Sequence, residues 1–248
     1  MSLTFLTYLT GTLPLSGEDA ERLLQFDQQA TLALNGSHSL FLDNLMITVT
    51  NTFSWSLLML MLLYVIFKNN SWKDSLCILL TIGLMIFVAD RICSGWVKPT
   101  VARWRPTRDP EIMYMLDTVL NYRGGRFGFF SGHACNTFCV AMFLSWLFRS
   151  TRMTLVLFFW AATTTFTRLY LGVHYLGDVT VGLCVGSLLG IIFYTVYYRL
   201  RLLFGKHHLI SNQFTSTGYL RSDLDRFMAV IFLNYILIII FSITRGIL

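Results

Sequence analysis

Charge is what this chain has least of. Asp, Glu, Lys and Arg make up 13% of its 248 residues, about half the roughly 25% of soluble domains. Hydrophobic residues make up 55% and aromatic ones 15%, and the mean hydropathy is +0.60. Such a chain belongs in a bilayer, and its length divides into spans of about 20 residues better than into soluble domains. Acids are the scarcer sign, 13 against 19 Lys and Arg, for a net charge of +6. That excess would suit nucleic acid, but the cations are scattered between apolar runs and never form a block. A membrane surface or an anionic lipid headgroup is the better partner, and nucleic acid is not expected.

Cysteine is also too sparse to build with. Cys77, Cys93, Cys135, Cys139 and Cys184 are odd in number and all lie in apolar runs, which argues against a disulfide framework and against zinc. They read as small packing residues. No metal motif is present, and neither a metal nor a cofactor is expected. The alternation of a β-barrel, an internal repeat and a low-complexity segment are likewise missing. The leading MSLTFLTYLTGTLPL has no basic region ahead of its apolar residues and no convincing cleavage site. A removable signal peptide is therefore not expected, and the segment is read as lying flat on the bilayer.

What is present is a series of apolar runs: 53–67, 75–96, 133–148, 153–171, 179–198 and 227–243. A lipid-exposed backbone must satisfy its own hydrogen bonds, so all are read as helices. The expected fold is all-α, a polytopic membrane bundle of about six transmembrane helices forming one domain over residues 1–248. Residues 1–52 are an N-terminal interfacial segment, with an amphipathic period in ERLLQFDQQATLALN. The helical core is expected over 53–200, and a loop with an additional C-terminal helix over 201–248. The run LFLDNLMITVT could lengthen the first span. Alternating span directions put the loop 98–130 and the turn 172–177 at one membrane surface, and the loop 206–226 at the other.

Three clusters share the first surface. KPTVARWRP holds Lys98 and Arg105 with six residues between them, Ser131-Gly132-His133 heads the run from 133, and TRLYLGVHYLGD holds Arg168, His174 and Asp178. Each has a bland reading. Ser131 suits an N-cap, Lys98 and Arg105 suit snorkelling anchors, and His174 with Asp178 suits a satisfied polar pair. Together they say more. Three cations at a membrane surface call for an anion, and a phosphate fits guanidinium forks and a lysine. The helix start at Ser131 and Gly132 presents unpaired amides to the same anion. Asp178, four residues after His174, can fix one imidazole nitrogen and leave the other as a nucleophile, with His133 left to serve as a proton donor.

Arg103, Arg108, Arg123 and Arg126 are read either as recruiters of an anionic headgroup or as solvated loop charges. Asp90 and Arg91 could pair with each other or with the bundle. Trp96, Trp104 and Tyr170 read as interfacial aromatics.

The three clusters resemble the membrane-bound type 2 phosphatidic acid phosphatase family, whose pattern is Lys-x6-Arg-Pro, Pro-Ser-Gly-His and Ser-Arg-x5-His-x3-Asp. Lys98 to Pro106 matches throughout, while Phe130 and Thr167 stand where the family has Pro and Ser. The resemblance implies that Lys98, Arg105, Arg168, Ser131 and the amide of Gly132 bind phosphate. It implies that His174 attacks phosphorus and Asp178 orients it, while His133 protonates the leaving group and later activates water. The expected activity is that of a metal-independent lipid phosphatase in a bacterial cytoplasmic membrane, its site facing the periplasm or exterior. The substrate would be lipid A, undecaprenyl diphosphate, phosphatidylglycerophosphate or phosphatidic acid. A lipid phosphotransferase and a non-enzymatic headgroup-binding or transport protein are the alternatives, and the sequence leaves the oligomeric state open.

Overall fold

The computed structural model describes residues 17–203 and 212–247. The expectation for the first fifteen residues lies outside them, as does Lys206. The described residues are helical, without named strands. In chain order the helices are α1 (Gly17–Leu34), α2 (Leu40–Thr50), α3 (Ser56–Asn69), α4 (Trp72–Asp90), α5 (Gly132–Phe148), α6 (Thr151–Tyr170), α7 (Leu176–Leu203) and α8 (Arg221–Ile247). A wide turn at Arg91–Val97 and a short helix at Lys98–Val101 continue α4.

Serines set several of the starts. The side chains of Ser39, Ser71, Ser131 and Ser150 accept from the amide three residues on, at the heads of α2, α4, α5 and α6. Left-handed residues set two of the ends, Ala102 (φ 50°) after the α4 extension and Arg149 (φ 50°) after α5.

Four stretches are long and apolar enough to cross a membrane: 52–69, 72–101, 176–202 and 221–246. The other two expected spans are α5, apolar but only 17 residues, and α6, 20 residues with six threonines. Both are inner helices, so protein rather than lipid receives much of their surface. Asn51, in an extended conformation, separates α2 from the turn that begins the first span. The run at 40–50 is therefore its own helix, packed against α6 and α8, and does not lengthen that span.

The tightest seam joins α5 to α7. Gly182, Gly186 and Gly190 repeat every fourth residue, and a Cβ at each would fall 2.6, 2.2 and 2.7 Å from the carbonyl oxygens of Ser131, Cys135 and Cys139. Small residues at this spacing let two helix backbones meet, the usual device of membrane helices. Cys93, Cys135 and Cys139 are buried and Cys77 half-buried, as packing residues should be, while Cys184 is exposed; all five are free thiols.

The two ends of the bundle differ. At one, buried Asp223 accepts from Lys68 Nζ at 2.7 Å, Asn69 Nδ2 at 3.1 Å and Arg226 Nη1 at 3.3 Å, tying the α3–α4 turn to the start of α8. At the other, the loop 102–131 meets the α6–α7 turn, where the Thr107 amide donates to Gly172 O at 3.1 Å. The end assignments expected from alternating spans follow.

Candidate active site

Asp178 sits in the first turn of α7, where a carboxylate is favoured by the helix dipole. The free amides of that turn are satisfied from another helix. Asp27 Oδ1 of α1 accepts from the Gly177 amide at 2.7 Å, and Thr31 Oγ1 accepts from the Leu176 amide at 3.1 Å. Asp27 and Thr31 are four apart, hence on one face of α1.

The Asp178 carboxylate, fully buried, has both oxygens engaged. Oδ2 accepts the Tyr175 amide at 3.2 Å and lies 3.3 Å from His174 Nδ1. Oδ1 accepts from Arg103 Nη1 at 2.8 Å. Space above the carboxylate is closed by Gly128, where a Cβ would fall 2.8 Å from Oδ2.

On the other side of the imidazole, Arg105 Nη1 lies 3.1 Å from His174 Nε2. A guanidinium only donates, so Nε2 is the acceptor and the ring proton resides on Nδ1, facing Asp178. The same guanidinium is held by Val173 O at 3.1 Å, and Arg105 Nε donates to Phe127 O at 3.1 Å. Burial, and then the charges of Arg105, Arg168 and Lys98, hold the His174 imidazole well below its ordinary value of 6.5. It is a neutral ring with its Nε2 lone pair turned toward cations.

Arg168 is 2% exposed at the end of α6. Its Nη1 donates to Thr50 Oγ1 at 2.6 Å, and Nη2 to the Tyr122 hydroxyl at 3.3 Å, with the guanidinium over the Tyr122 ring. Its buried Nε has no hydrogen-bond partner among the described residues. A buried arginine with an unmet donor is suited to an anion. Lys98 approaches the head of α5, its Nζ 3.8 Å from where a Gly132 Cβ would stand. Lys98, Arg105 and Arg168 all act electrostatically on both His133 and His174. The structure thus brings together all eight side chains or backbone positions singled out by their spacing.

The two departures from the family pattern resolve locally. Phe130 is buried among Ala89, Cys93 and Cys135, and its carbonyl accepts the Cys93 thiol at 3.1 Å. Its backbone neighbours keep the site's register, because the Ser131 amide donates to Asp178 O at 2.9 Å. The Thr167 hydroxyl turns back to Thr164 O at 2.7 Å within its own helix.

Neither sequence reading holds for Arg103. It is 4% exposed, its Nη2 donates to Asp27 Oδ2 at 2.6 Å, and its guanidinium lies 3.9 Å from the Tyr175 ring centre. Arg108, Arg123 and Arg126 are exposed; the first two donate to loop carbonyls at Gly124 and Thr107, and the third stacks over Trp104. Asp90 and Arg91 pair with each other at 3.4 Å on the exterior. Trp96 is exposed, whereas Tyr170 is buried, with its hydroxyl donating to Asp43 Oδ1 at 2.7 Å. Sequence reasoning missed Asp27, Thr50 and Tyr122. For Arg103 a signal existed: in the extended Arg103-Trp104-Arg105 stretch, alternate residues share a side.

The PAP2 superfamily model matches residues 75–202, which include every one of these eight positions. Two relatives are each called a lipid A 4'-phosphatase. That of Bacteroides thetaiotaomicron is 39% identical over 181 residues, covering 73% of this chain and 80% of the relative. That of Porphyromonas gingivalis is 32% identical over 181 residues, covering 73% and 77%. No solved structure matches the chain. With its three motif clusters gathered at one end of a helical bundle and the family model spanning them, the chain belongs to the PAP2 superfamily.

Proposed function

We propose that this protein is an integral membrane phosphatase that removes a phosphate monoester from lipid A or a lipid A-like envelope lipid through a phosphohistidine intermediate. The observation that carries the chemistry is His174, with Nδ1 on Asp178 and the Nε2 lone pair on Arg105. The choice of lipid is supported by the two relatives. In this reading Arg105, Arg168 and Lys98 exchange contacts for phosphate oxygens, joined by the Gly132 amide and Ser131 at the head of α5. The incoming monoester brings a proton to His133, its negative charge offsetting Lys98, Arg105 and Arg168 beside that ring. The Nε2–P bond forms as the P–O bond to the sugar breaks, and His133 as imidazolium gives that proton to the leaving oxygen. Neutral His133 then takes a proton from water, hydroxide attacks phosphorus, and the Nε2–P bond breaks to release phosphate. Asp178 stays ionised and holds the imidazolium orientation.

The cations here occupy a role that a metal fills elsewhere, so phosphate release is expected to persist in EDTA. The test is phosphate release by the purified protein in detergent with EDTA, from lipid A, undecaprenyl diphosphate, phosphatidylglycerophosphate and phosphatidic acid. Lipid A is expected to lead the panel, and His174→Ala to lower its rate by about 10³-fold or more. Undiminished release by the variant refutes the nucleophile, and a different leading lipid refutes the substrate. Release that requires an added acceptor would turn the reading to a phosphotransferase.

We also place the site on the periplasmic face of a bacterial cytoplasmic membrane. With Lys98, Arg105 and Arg168 assigned to phosphate and Arg103 to carboxylates, Lys68, Lys73, Arg149, Arg152, Arg199, Arg201, Arg221 and Arg226 at the opposite end mark the cytoplasmic side.

A further inference from the structure

We propose that Arg103 is a positioning residue for Asp178, anchored by Asp27, so that the N-terminal helix α1 is a working part of the phosphatase. The inference rests on the phosphatase reading of the site. Asp178 must remain ionised while fully buried, and His174 beside it is neutral until it attacks. Its charge therefore needs a permanent counter-charge that is not committed to phosphate. Lys98, Arg105 and Arg168 face the substrate side. Arg103 instead faces the far oxygen of Asp178, at 2.8 Å, and cannot reach phosphate through that carboxylate.

A planar guanidinium bonded by one Nη to Asp178 and by the other to Asp27 is fixed in two directions. The Tyr175 ring beneath it fixes the third, and that ring is held by its own hydroxyl on Asp109 at 2.8 Å. Asp27 then does two jobs. One oxygen holds Arg103, and the other holds the Gly177 amide, next to Asp178 in the chain. A displacement of α1 would move the carboxylate and its counter-charge together. Asp27 lies outside the segment matched by the superfamily model, so the core motifs of this chain are completed by a helix that precedes them.

The experiment is the pH dependence of kcat and KM for lipid A hydrolysis by the full chain in detergent, for wild type, Arg103→Gln, Arg103→Lys and Asp27→Asn. Each is checked for a native melting transition. The groups facing His174 are Arg105, Arg168, Lys98, His133 and Asp178, and none is altered. Arg103→Gln is expected to lower kcat roughly 10- to 100-fold with KM little changed. It should also move the acid limb of kcat/KM to higher pH, since one positive charge beside the His174–Asp178 pair is gone and proton uptake there becomes easier. Arg103→Lys, which keeps the charge but cannot span both carboxylates, should restore the limb and only part of kcat. Asp27→Asn should lower kcat while leaving KM unchanged.

Equal losses in all variants with an unmoved limb would make Arg103 merely structural and overturn the inference. Wild-type kcat in Arg103→Gln would do the same. If Arg103→Gln does not fold, Asp27→Asn decides, and wild-type kcat there overturns the inference. A wild type that releases no phosphate from any lipid overturns the phosphatase reading and the positioning role with it, whereas an active wild type with unaffected variants overturns only the latter.

Discussion

His174 is neutral because it is buried among cations, and that has a consequence for pH in two directions. Its folded-state value lies well below 6.5, the value it regains on unfolding. Between the two, the unfolded chain binds a proton that the folded one does not, so this residue's contribution to stability is present above about pH 6.5 and lost as pH falls through the window below it. The slope is at most about 1.4 kcal/mol per pH unit for one group. Thermal melting of wild type between pH 7 and pH 5 should show the decline, and His174→Gln should lessen it, the remainder coming from His133 among the same three cations. Activity should tolerate the same acid better than stability does: as the proposed nucleophile, His174 keeps its lone pair in mildly acidic buffer, so the acid limb of kcat/KM should lie below the ordinary histidine range. In Asp178→Asn the one remaining acceptor oxygen is claimed by Arg103, so an NH2 donor faces His174 Nδ1 and favours the wrong tautomer, for an expected loss of about 10³- to 10⁴-fold in kcat.

The element that places these residues is the α5–α7 pair. Ser131 and Gly132 head one helix and Asp178 opens the other, and the seam at Gly182, Gly186 and Gly190 fixes how close those heads lie. A Cβ at Gly186 would be 2.2 Å from a backbone oxygen, so no side-chain rotation relieves it. Gly186→Leu is expected to lower the melting temperature and to reduce phosphate release in proportion to the helix displacement, although it replaces no group of the site. Leu188, two residues further along α7, is exposed on the outer surface of the bundle. Leu188→Ala in the same assay should show little change.

At the scale of the whole molecule, the bundle separates two polar ends across an apolar belt. The Asp223 cluster with Lys68 and Asn69 closes one, and the loops of the candidate site with α1 cover the other. Single cysteines placed at exposed Arg108 and Lys73 in a background lacking the native thiols give a direct check of orientation. A membrane-impermeant maleimide applied to spheroplasts should label Arg108→Cys, and should reach Lys73→Cys only after lysis; the reverse pattern would place the site in the cytoplasm.

Composition and spacing by themselves determined that the chain is a helical membrane bundle, which loops share a surface, and that Lys98, Arg105, Ser131, Gly132, His133, Arg168, His174 and Asp178 gather there. These follow from local rules: apolar runs must be helical in lipid, and side chains at fixed short spacings keep fixed relations. Tertiary structure decided what depends on contacts distant in sequence. Arg103 reads like any loop cation until Asp27, 76 residues earlier, is seen at its other nitrogen. Tyr170 reads as an interfacial aromatic until α2 is seen to cover it with Asp43. Arg168 gains Thr50 and Tyr122 from two different segments. Such partners are chosen by packing, and no period or motif within either segment encodes the other, because a buried charge selects its counter-charge by distance in space alone.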